Sequence, residues 1–165
     1  VGAFFFLSCA YNSNMPDSTP TLTGFEAWVY AVMGIPTAAM PANDPGFANA
    51  FAFAMALVPT EMAAIDTSGI IYTATVYNWG GSQILQYQQD QGGQTYFSKA
   101  RTAYGINNFV AGVISEASDT GTSQSLQIGK GLSNMDLLSL QRVKDPYGRQ
   151  ALAYMQSLGT LWGLT

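Results

Sequence analysis

The chain of 165 residues has no histidine, one cysteine and, through its first 98 positions, neither lysine nor arginine. Without histidine the commonest general base and metal ligand are missing. Ser–His–Asp and Cys–His catalysis are excluded within one chain, as is a zinc site built from a single cysteine. Cys9 has no partner for an intrachain disulfide. Charged residues make up 10% of the chain, against about a quarter in an ordinary soluble domain.

The few charges are unevenly placed. Six acids (Asp17, Glu26, Asp44, Glu61, Asp66, Asp90) precede the first cation, and all six cations fall between Lys99 and Arg149. Basic residues hold a segment on the cytoplasmic side of a membrane, so a long stretch without them favours an extracytoplasmic or membrane-associated protein. A formal charge of −4 and scattered cations disfavour nucleic acid, which is held by clustered Lys and Arg. No phosphate loop is present: Gln127-Ile128-Gly129-Lys130-Gly131 has glycine where Ser or Thr must follow lysine. No cofactor is expected.

Apolar residues make up 48% of the chain and aromatics 13%, ample for a packed core. One domain over 1–165 is expected. It comprises an apolar N-terminal arm (1–9), a flexible connector (118–131) and a C-terminal helical part (132–165). Phe4-Phe5-Phe6-Leu7-Ser8-Cys9 loosely resembles the end of a bacterial lipoprotein signal; a buried thiol is the simpler reading of Cys9.

Local signals predict a mainly α fold of about four to six helices. Thr23 or Gly24 starts a helix over Phe25–Met33, ended by Gly34 and Pro36. Asp44-Pro45 is a cap followed by proline in the first turn, opening a central helix through Val58. Ile70–Trp79 is dense in β-branched and aromatic residues. It reads either as a small strand at 70–79 or as part of a long helix from Asp66 to Gln89. An amphipathic helix is expected over Tyr96–Ser118, broken or bent near Gly105. Two more are expected over Asn134–Lys144 and, after Asp145-Pro146, over Tyr147–Leu161.

Carboxylate pairs are the remaining catalytic option. Glu61 and Asp66 are off register on a helix, while Glu116 and Asp119 share a face if helical. Among the tryptophans, Trp28 and Trp162 fall on apolar faces and are expected to be buried. Trp79, before Gly80-Gly81 and a glutamine run, is the best exposed platform for a sugar.

A surface kept soluble by amides and hydroxyls associates readily. The leading expectation is therefore a structural or interaction subunit of a larger assembly: a secretion or conjugation channel, an extracellular filament or a virion shell. Its partners would be other protein subunits, a homo-oligomer included, next to a membrane in some settings. The expected contact residues are Phe4, Phe5, Phe6 and Leu7; Trp79, Gln83, Gln86, Tyr87 and Tyr96; and Leu161, Trp162 and Leu164, with Gly159-x-x-x-Gly163 beside them. The alternatives are an extracytoplasmic glycan-binding module or carboxylate-based hydrolase, and an extracytoplasmic domain of a larger membrane protein.

Overall fold

The computed structural model describes residues 18–107, 116–119, 122–125 and 141–158. Its described residues form six helices, α1 (Leu22–Ala31), α2 (Pro45–Leu57), α3 (Glu61–Ile65), α4 (Ile70–Tyr87), α5 (Tyr96–Ala103) and α6 (Pro146–Ser157). One hairpin, β1 (Glu116–Asp119) with β2 (Thr122–Ser125), completes them. The fold is mainly helical, as expected from the sequence.

Helix α4 is the axis of the fold, with α1, α2, α5 and α6 packed against it. Thirteen of its 18 residues are buried. The strand alternative at 70–79 is therefore wrong. Val76, Tyr77 and Trp79 find neighbours on all sides of a central helix, and that packing overrides their β preference. Polar side chains along α4 turn back onto its own carbonyls. Thr75 Oγ1 donates to Ile71 O at 2.7 Å and Asn78 Nδ2 to Ala74 O at 2.8 Å.

Gly80 and Gly81 are contact points on α4, not a turn. A Cβ at Gly80 would lie 2.8 Å from the Phe25 ring, and one at Gly81 would lie 2.8 Å from Met33 Sδ. These absences let α1 approach closely. Phe25 then sits 5.7 Å from Tyr77 and 6.4 Å, edge-on, from Phe47 of α2. Burying a ring like Phe25 completely stabilises by roughly 1.5–3 kcal/mol.

Helix starts follow side-chain chemistry. Thr21 Oγ1 accepts from Gly24 N at 3.0 Å, so α1 begins at Leu22, slightly ahead of the predicted start. Asp44 Oδ1 accepts from Gly46 N at 2.7 Å and Pro45 takes the first position of α2, as expected. Asp66 Oδ2 accepts from Ile71 N and Tyr72 N, two and three residues beyond Gly69, which closes the preceding loop with φ 70°. Asp90 reaches α5 from upstream, accepting from Phe97 N and Ser98 N.

The C-terminal third departs from expectation. The helix from Tyr96 breaks near Gly105 (φ 65°), as expected, ending at Ala103, but it does not resume to Ser118, which lies in β1. The connector 118–131 contains β2, whose Thr122 pairs antiparallel with Asp119. Most of the helix expected over Asn134–Lys144 lies outside the described residues; Gln141 and Arg142 are helical. The last helix starts at Pro146 and runs to Ser157, with Asp145 as its cap.

Candidate functional site

The C-terminal half of α4 carries the most distinctive chemistry. Trp79, Ser82, Gln83 and Gln86 recur at helical spacing and meet the segment Arg142–Asp145 that leads into α6. Arg142 and Asp145 are both fully buried. Asp145 Oδ1 accepts from Gly148 N at 2.7 Å, capping α6. Its Oδ2 accepts from Ser82 Oγ at 2.7 Å and from Gln86 Nε2 at 3.2 Å. The Arg142 guanidinium lies 5.0 Å over the Trp79 ring and donates to Trp79 O and to Gln83 Oε1. Burial pushes this guanidinium below its ordinary range, and the negative charge of Asp145 opposes that shift.

The network is a seam, not a catalytic centre. Each carboxylate oxygen of Asp145 already holds donors, and the cation stacks on an indole instead of facing a cleft. It is also incompletely satisfied: Arg142 Nε, Trp79 Nε1 and Gln86 Oε1 are buried with no hydrogen-bond partner among the described residues.

Two sequence expectations fail here. Trp79 is 4% exposed and offers no platform, because Arg142 covers its ring. Gln86 is also buried, held by Ser82 and Asp145. The glutamine run is largely an internal staple. Gln91 Nε2 donates to Asp44 Oδ2 at 2.6 Å, and Gln88 Nε2 reaches both oxygens of the same carboxylate. Tyr96 is half-buried, its hydroxyl donating to Met33 O.

Tyr87 keeps its expected exposure, at 54%, and Gln83 is half-buried. Both line a groove of about 240 Å³ between α2 and α4, together with Asn49, Phe53, Ile84 and Gln88. Phe53 is 45% exposed on α2. The sequence reading passed over it because a helix this apolar has no polar face to mark its outside. The exposed positions of α2 are Pro45, Ala48, Asn49, Ala52, Phe53 and Ala56, none of them charged. Trp28, expected to be buried, is half-buried against Phe25 and Tyr147.

Phe4, Phe5, Phe6, Leu7, Cys9, Leu161, Trp162 and Leu164 lie outside the described residues. Glu116 and Asp119 fall in β1, so the helical face proposed for them does not exist. Asp66 is committed to the start of α4, and Glu61 is exposed at the start of α3. Among the described residues no cluster of acids has metal-binding geometry, and no helix is long and apolar enough to cross a membrane. Comparison with family models, curated proteins and solved structures finds no match.

Proposed function

We propose that this chain is a structural subunit that acts by contact with other protein subunits in an extracytoplasmic or membrane-associated assembly. Secretion or conjugation channels, extracellular filaments and virion shells are assemblies of this kind. The observation that carries the reading is the outer face of α2, ion-free along its whole length, with Phe53 projecting from it and Tyr87 beside it. Large apolar side chains left in water beside a neutral surface mark a contact for another protein. The low charge of the chain and the absence of cations before Lys99 support placement outside the cytoplasm.

The native mass of the purified protein tests this. A discrete oligomer or polymer that persists in about 1 M salt is expected, because contacts between neutral surfaces are not screened. A monomer at every concentration would refute the reading.

The groove favours one second reading, a glycan-binding module. Its amides (Asn49, Gln83, Gln88) and rings (Phe53, Tyr87) are the side chains that grip sugars. Saturable quenching of tyrosine fluorescence by soluble oligosaccharides, lost in Tyr87→Ala, would support it.

A further inference from the structure

We infer that the groove between α2 and α4 binds a single neutral pyranose ring, oriented by the free ends of the Gln83 and Gln88 side chains. This rests on the glycan-binding reading and names the ligand and the groups that read it. Gln83 is tied to Arg142 and Gln88 to Asp44, and both of those ions are buried. A guanidinium only donates, so Gln83 turns its carbonyl to Arg142 and keeps its two N–H donors for the groove. A carboxylate only accepts, so Gln88 spends its NH2 group on Asp44 and keeps its carbonyl. A Cβ at Gly46, which lines the groove, would collide with that carbonyl oxygen, so glycine there leaves the acceptor its place. The groove thus holds one donor and one acceptor that cannot exchange roles, about 7.5 Å apart along the axis of α4.

The lining selects the ligand. No charged side chain lines the groove, so an ionic ligand finds no counter-charge there. A peptide strand docks on a free sheet edge, and both walls here are helices whose backbone groups are spent internally. An amphipathic helix docks in an apolar trough, and here Asn49, Gln83 and Gln88 interrupt it. A sugar ring matches what remains: hydroxyls that both donate and accept, and an apolar C–H face. Phe53 on one wall and Tyr87 on the other, each about half exposed, offer aromatic faces to it.

Size sets the strength. The volume of about 240 Å³ lies below the roughly 300–1,000 Å³ of drug-sized sites, which suits one ring and not a chain of them. With so few groups engaged, a dissociation constant of about 1–10 mM is expected.

The test follows the side-chain amide NMR signals of the full chain during titration with methyl glucoside or methyl galactoside to about 50 mM. The Asn49 and Gln83 NH2 signals are expected to shift saturably. Gln83→Glu keeps an acceptor for Arg142 and removes the donor from the groove, while Gln88→Lys keeps a donor for Asp44 and removes the acceptor. Each should weaken binding about tenfold, the worth of one neutral hydrogen bond. Gln89→Glu, outside the groove, should leave binding unchanged. Unchanged circular dichroism verifies the fold of each variant. Sugar binding that both groove variants retain in full would overturn the role of the amides and leave the glycan-binding reading standing. Glucuronate bound as tightly as methyl glucoside would overturn the selection of a neutral ring. Saturable shifts with longer neutral oligosaccharides but with neither hexoside would overturn the single-ring site alone. No saturable shift with any of these sugars would overturn the glycan-binding reading together with this one.

Discussion

Asp145→Ala removes the residue on which the α4–α6 seam converges. Its carboxylate caps α6 through the Gly148 amide and takes the Ser82 hydroxyl and the Gln86 amide. Loss of a cap costs about 1 kcal/mol. A buried donor left without its acceptor costs a further 1–3 kcal/mol or so. These costs overlap, so a total of about 3 kcal/mol is the reasonable expectation. For a chain of this size that corresponds to a fall of about 6–12 °C in Tm. Asp145→Asn keeps an acceptor for Gly148 but loses the charge, and about 2 kcal/mol is expected. Urea unfolding of both variants, with Ser82→Ala and the double variant completing a cycle, measures the terms. A coupling of about 1 kcal/mol between Ser82 and Asp145 is expected. If Asp145→Ala unfolds within about 1 kcal/mol of the wild type, the seam is not what holds α6.

Two further outcomes follow from the packing and the caps. Gly80→Ala drives a methyl to within 2.8 Å of the Phe25 ring and should destabilise by about 1–3 kcal/mol, whereas Gly92→Ala, in open space, should be neutral or stabilise by up to about 1 kcal/mol; paired denaturant melts separate them. Stability should also depend on pH at both extremes. Ser68 and the Tyr72 and Ile71 amides hold Asp66 below its ordinary 3.8, and Ser98 with the Phe97 amide does the same for Asp90. Their contribution is complete above 3.8 and is lost as pH falls through the lower folded values, so Asp66→Asn should flatten the acid limb of the stability curve. Burial pushes Tyr147 from 10.0 up to about 12; its contribution is complete below 10.0 and is lost as pH rises toward 12, which phenolate absorbance follows.

The parts legible in the sequence are those fixed by local chemistry. Asp44-Pro45 and Asp145-Pro146 announce helix starts because cap and ring act within one turn. Gly34 announces an end because the chain there takes φ 66°. What tertiary contact decides was not legible. α4 is buried on nearly every side, which erases the periodicity that separates helix from strand. Gly80-Gly81 resembles a turn until α1 is laid across it. Exposure followed the same division. Tyr87 is legible as an outward residue, but the cover on Trp79 is not, because that cover is Arg142, 63 positions away. Phe53 was hidden among apolar neighbours for the converse reason.

The fate of the aspartates connects the fold to its surface. Asp44, Asp66, Asp90 and Asp145 each stand before a helix and accept from its first free amides, where the helix dipole favours negative charge. Two of the cations behave in kind. Arg101 donates to Leu85 O and Gln88 O at the end of α4, and Arg142 is buried in the seam. α4 thus carries an acid at its start and a base at its end, the arrangement that its dipole favours. A chain with so few ions that turns these inward leaves whole helix faces to alanine, phenylalanine and amides. Such faces are held apart in water by neither charge nor a strongly bound hydration layer. In testing the proposed contact with other subunits, the residue to alter first is Ala52, exposed on the outer face of α2.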